Sequence, residues 1–279
     1  MSTNQEKKKL SLNLDHNRAE KNTQVLVNRS TLEYSEEVKQ AQDLLSKDPK
    51  NPELWMKKGL ALAKQMLCVE STEAFSIGLS YDPFNWLLFR HRGHRQLSTW
   101  RFADAAADFE FASRIKQDDW DIWYHLGLSY YLIGDFTRAA SAYNRCLALT
   151  DPVSENLVAI VNWEWLTLMR LDRKDDAKKV LEYIDADTEA GENQAYKDMV
   201  LTYKGLLKPE KALEFDNPEF EALELATRGY GIAMFYYFNA EKQKAKVLLN
   251  KIFDNDAFWS AFGYLATLQE LRQERLVLS

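Results

Sequence analysis

Cysteine, histidine, proline and glycine are all scarce in this chain of 279 residues, at two, four, six and ten. Cys68 and Cys146 lie far apart and outside any CxxC, which excludes a disulfide framework and a zinc knuckle. Few glycines and prolines leave few breaks for linkers. No apolar run approaches ~18 residues, so the sequence offers no transmembrane helix. The first nine residues, Met1 to Lys9, are polar and lack the apolar stretch of a secretory signal, which leads to the expectation of a cytoplasmic protein with no membrane association. No P-loop, strand-linked GxGxxG, HExxH or GxSxG is present. The expectation is therefore a non-enzyme with no cofactor, no catalytic residues and no metal.

What is there is hydrophobic and charged. Apolar residues make up 46%, charged residues 28% and aromatic residues 13%, enough for a sizeable folded core. The net charge of −6 is unevenly placed. Residues 1–118 carry 18 Lys/Arg against 16 Asp/Glu, and residues 119–279 carry 18 against 26. An acidic chain lacks the basic face of a general nucleic-acid binder. The asymmetry reads either as two electrostatically different ends or as a solubilising surface.

Residues 1–33 are polar and read as a disordered arm, with a weak helical pattern over 19–27. Asn28-Arg29-Ser30 matches a glycosylation acceptor, a chance match in a chain without a secretory signal. From Tyr34 onward the pattern is helical. Ser35 precedes Glu36-Glu37-Val38 as an N-cap, and Val38, Ala41, Leu44 and Leu45 recur at helical spacing until Asp48-Pro49 ends the helix.

The main signal is internal repetition. Gly59, Gly93 and Gly127 are spaced by 34 residues. Four residues before each stands Trp55, Phe89 or Trp123, and sixteen after each stands Phe75, Phe109 or Tyr143. Asp48-Pro49 recurs as Asp82-Pro83 and, one residue late, as Asp151-Pro152. Two apolar-periodic segments flank a short polar turn in each period, which is a helix–turn–helix unit of a repeat solenoid.

Trp123-x-x-Leu126-Gly127-x-x-Tyr130, then Ala139 and Tyr143, resembles the tetratricopeptide-repeat signature. Gly127 and Ala139 are small enough for the two helices to approach, Trp123, Tyr130 and Tyr143 fill the space around them, and Gly134-Asp135 makes the turn. The clearest repeats span 52–85, 86–119 and 120–153, with degenerate repeats over 158–253. There Trp165 takes the small position, Asp185 to Gly191 reads as a loop, a shortened pair surrounds Lys208-Pro209-Glu210, and Gly229 to Phe253 restores the pattern. A helix over about 258–271 reads as the cap a solenoid needs. The expected fold is all-α: a solenoid of antiparallel helix pairs over 34–275.

The resemblance implies a protein-binding scaffold or adaptor, with the first helix of each unit lining a concave groove. In the second unit the groove positions are Leu87, Arg90, His91 and His94. In the third they are Asp121, Tyr124, His125 and Leu128, and in the fourth Ala159, Asn162, Trp163 and Leu166. Arg90, His91, His94, Tyr124, His125, Asn162 and Trp163 are thus the candidate partner contacts, suited to an acidic or aromatic-bearing peptide. The bland reading stands beside it: Arg90, His91 and His94 as a solvated helix face, and Arg92 paired with Asp108 or Glu110. A three-histidine metal site of His91, His94 and His125 lacks carboxylate or thiolate company. The carboxylate clamp of chaperone-binding relatives is not reproduced, since its positions hold Met56, Leu60, His91, Asp121 and His125. The alternatives are self-association through Phe235 to Phe238 or the aromatic 258–262 segment, and an RNA-binding accessory role resting on Arg90 to Arg95.

Overall fold

The computed structural model describes residues 33–215 and 221–272. The arm over 1–33 and the acceptor at Asn28 fall almost wholly outside them. The described residues form α-helices and one 3-10 turn, with no strand among them. They divide into two compact units, the chain passing from the first to the second between Gln117 and Asp118. The architecture is the α-solenoid kind, built from consecutive antiparallel helix pairs.

The first unit contains α1 (Glu36–Lys47), α2 (Pro52–Lys64), α3 (Cys68–Tyr81), α4 (Trp86–Ser98) and α5 (Phe102–Ile115). Helices α2 and α3 pair, as do α4 and α5, while α1 packs on α2. The second unit contains α6 (Trp120–Ile133), α7 (Phe136–Leu149), α8 (Leu157–Arg170), α9 (Lys174–Leu181), α10 (Gln194–Tyr203), α11 (Pro209–Ala212), α12 (Glu221–Phe238), α13 (Lys242–Asp254) and α14 (Phe262–Arg272).

Local chemistry sets the helix ends with the repeat period. Ser35 Oγ accepts from the Val38 amide and starts α1. Asn51, Asn85 and Asp119, again 34 residues apart, cap α2, α4 and α6 through their side-chain oxygens. Asn51 and Asn85 also donate to Asp48 and Asp82, each at 2.9 Å, which ties the cap to the end of the preceding helix. Within each pair the turn places one residue in the left-handed region: Met66, Trp100 and Gly134. Glycine takes that backbone freely, whereas a residue with a Cβ costs ~1–2 kcal/mol there.

The repeat glycines let each pair close. A Cβ at Gly127 would lie 2.8 Å from the Tyr143 ring, and one at Gly93 3.0 Å from the Phe109 ring. Phe75, Phe109 and Tyr143 are in consequence buried between the helices, each contributing ~2–3 kcal/mol of apolar burial. In the fourth period Trp165 fills the glycine position and stacks on Tyr203 of α10, with ring centroids 3.7 Å apart. Helix α9 is correspondingly short, at eight residues.

The terminal helix does more than cap. Helix α14 packs on α12 and α13 and also reaches α6, and α12 reaches α8. The end of the second unit therefore folds back over that unit's own first helices.

Candidate functional site

Helix α4 carries three arginines and two histidines with no carboxylate. Its 3.6-residue period sorts them. Arg92 turns into the α4–α5 pair and grips Asp108 with two bonds, Nε to Oδ2 at 2.7 Å and Nη2 to Oδ1 at 2.6 Å. Its Nη1 also donates to Ser76 Oγ at 3.0 Å. Burial pushes the Asp108 carboxyl up, against the downward pull of Arg92. Asp108, rather than Glu110, is thus the partner of Arg92.

Arg90, His91 and His94 are half-buried on the neighbouring face. The His91 ring stacks on Phe75 at 5.7 Å between centroids. Arg90 Nη1 lies 3.2 Å from His91 Nδ1, and Arg95 Nη2 bonds His94 Nδ1. A guanidinium only donates, so each Nδ1 stands as the acceptor in its contact. On α2 the corresponding positions, Glu53, Met56, Lys57 and Leu60, are exposed or half-buried. The first helices of this unit therefore carry half-buried and exposed apolar, cationic and, at Glu53, anionic residues at these positions.

The second unit differs. Tyr124, His125, Asn162 and Trp163 are 7, 5, 1 and 1% exposed. Phe262 of α14 packs against Tyr124 and His125. Tyr230 of α12 stacks on Trp163 at 5.9 Å, and the Tyr203 hydroxyl donates to Asn162 Oδ1 at 2.9 Å. Burial pushes the Tyr124 phenol well up. At these four positions the expected groove residues lie beneath the chain's own later helices.

His125 Nδ1 donates to the Asp121 carbonyl at 2.8 Å, which uses one of its two ring nitrogens. The cationic neighbours of His91 and His94 disfavour a divalent ion at those rings. Among the described residues no group of three or more His, Cys, Asp or Glu side chains is placed to hold a metal. Among them, too, no helix is long and apolar enough to cross a membrane.

The aromatic runs named for self-association are partly engaged within the second unit. Phe235 stacks on Tyr203, Phe238 meets Trp165 edge-on, and Tyr236 and Trp259 are buried. Phe235, Tyr237, Phe238, Phe258 and Phe262 remain half-buried.

Sequence reading missed the network beneath α14. Tyr230 donates to Glu270 Oε1 at 3.0 Å, and Glu270 pairs with Arg170, both nearly fully buried. These residues lie up to 100 positions apart in sequence, and no spacing signals their meeting.

Residues 92–152 match the family model described as tetratricopeptide repeat. Over 90 residues, 32% of the chain, the sequence is 36% identical to a Hsp70-Hsp90 organizing protein of Triticum aestivum. That match spans 15% of the wheat protein's length. A tetratricopeptide repeat protein from Parabacteroides merdae is similar in fold, with a TM-score of 0.54 at 13% identity, covering 95% of this chain and 99% of that one. A tetratricopeptide protein, YrrB, described as having an unusual peptide-binding site, gives a TM-score of 0.49 at 14% identity, covering 80% and 96%.

Proposed function

Because the chain is a tetratricopeptide-repeat protein, we propose that it is a non-catalytic scaffold that holds an acidic peptide or partner helix on the first-helix face of its N-terminal unit. One observation supports this above the rest. Helix α4 presents Arg90, His91 and His94 together, half-buried, on a helix without a single carboxylate. Arg90 carries a guanidinium, the group whose planar fork suits a carboxylate, and His91 and His94 stand on the same face. Met56 and Leu60 on α2 supply the apolar contact that fixes a peptide's register.

The wheat relative is an organizing protein by name, which agrees with a scaffold role in general. The partner here is read as different from a chaperone tail, since Met56, Leu60 and His91 stand where such clamps keep Lys and Asn. Tyr124, His125, Asn162 and Trp163 contribute in this reading only as core of the second unit.

The test uses a fluorescein-labelled Glu-rich peptide bearing one Leu or Trp. Saturable binding that weakens at least tenfold in Arg90→Glu/His94→Glu, and weakens with salt, is the expected result. Equal binding by that variant, with helicity retained, defeats the reading. Salt-sensitive binding of single-stranded RNA at the same residues, with no peptide binding, would move the function to the nucleic-acid alternative.

A further inference from the structure

The second unit has a groove of about 730 Å³ bounded by α7, α8 and α9. Glu164, on α8, lines it and is 6% exposed. Its Oε2 has no hydrogen-bond partner. The nearby cations hydrogen-bond or pair with Asp176, although Arg173 also acts on Glu164 through space. Arg173 gives Nε and Nη2 to Asp176 at 2.9 and 2.8 Å, and Lys179 stands 3.6 Å from the same carboxylate.

A buried, unpaired carboxylate costs several kcal/mol, so such a group keeps its proton or meets a cation. Burial pushes the Glu164 carboxyl up to about 7, with Arg173 pulling it down. The titratable groups around it are Tyr143 and Cys146 of α7, and Arg173, Asp176, Lys179, Glu182 and Tyr183 at and after the start of α9. With a pKa of about 7, Glu164 is about half ionised at pH 7 and mostly ionised at pH 7.5, and Arg173 offsets part of its charge.

We propose that this groove is a binding site for an arginine side chain presented by a partner protein, with Glu164 as the buried acceptor. Three features favour guanidinium. It is weakly hydrated, so it enters a half-dry groove at lower cost than an ammonium. Its five donors exceed what one carboxylate accepts, and Ser141 and Asn144 of α7 offer further oxygens along one wall. Ala140, Leu168 and Val180 provide apolar cover for the methylene stem. The site lies apart from the α4 face and does not depend on the peptide reading given above.

The experiment titrates the blocked tripeptide acetyl-Gly-Arg-Gly-amide into the full chain at pH 7.5, followed by backbone amide NMR. The citrulline peptide, equal in shape and without the charge, is the control. Saturable shifts at Ser141, Asn144 and Val180, at least tenfold weaker for citrulline and for Glu164→Gln, are expected. Ser141→Arg, which places a guanidinium in the groove in cis, should abolish binding while preserving the fold. Absence of saturable shifts at millimolar peptide overturns the proposal. So does equal binding by citrulline or by Glu164→Gln. Arg90→Glu/His94→Glu should bind the arginine peptide as wild type does, which separates failure here from failure of the α4 reading.

Discussion

The hydroxyls of Tyr131 and Tyr230 lie 2.6 Å apart, joining α6 to α12 across 99 residues of sequence. Tyr230 passes the link to Glu270, and Glu270 to Arg170, which lies over the Phe136 ring at 5.3 Å. Four buried polar groups thus close the second unit on itself. Truncating Glu270 to Leu leaves the Arg170 cation buried without its partner, at a cost of about 3–5 kcal/mol. Tyr230→Phe removes one hydroxyl and costs about 1–3 kcal/mol. Urea unfolding followed by circular dichroism measures both, and an unchanged midpoint for Glu270→Leu would show that the network does not hold α14.

The approach of Gly127 to Tyr143 sets a second expectation. Gly127→Ala puts a methyl 2.8 Å from a fully buried ring, so the α6–α7 pair must part or the ring must shift. Overpacking of this kind costs about 1–3 kcal/mol. Adding Tyr143→Leu should recover part of the loss, and a double-mutant cycle in urea reads that coupling.

Arg92 and Asp108 make a similar case in the first unit. Arg92→Met strands a buried carboxylate and should cost about 3–5 kcal/mol. Replacing both residues with Leu should recover most of that cost, because two desolvated charges leave together. If the double variant is as unstable as the single one, packing rather than charge governs the site.

Glu164 gives a pH expectation with a definite sign. Its folded pKa of about 7 lies above the usual 4.5, so the folded state holds the proton more tightly than the unfolded chain. Its contribution is fully present below pH ~4.5 and is lost as pH rises through ~7, about 3 kcal/mol across that window. Glu164→Gln should therefore gain stability relative to wild type as pH is raised from 5 to 8. Thermal midpoints across that range check it, and parallel curves for the two proteins would refute it.

Much of this architecture was legible in the residues. The 34-residue spacing of Gly59, Gly93 and Gly127 fixed the helix pairs, since each glycine is the partner of an aromatic sixteen residues on. Gly134-Asp135 and Ser35 marked a turn and a cap by local chemistry alone. The caps at Asn51, Asn85 and Asp119 carried the same period and were there to be found. The arginine-histidine helix was visible too, because one helix face depends only on sequence order.

Sequence by itself determined the repeat, the pairing of neighbouring helices and the chemistry offered by α4, because these follow from contacts within about 34 residues. The fate of the groove positions was decided by tertiary structure. Tyr124, His125, Asn162 and Trp163 have the same spacing whether open or covered, and only the return of α12 and α14 buries them. Glu164 became a candidate acceptor for the same reason: packing of α7 and α9 buries it and leaves its Oε2 without a hydrogen-bond partner, and no local pattern records that.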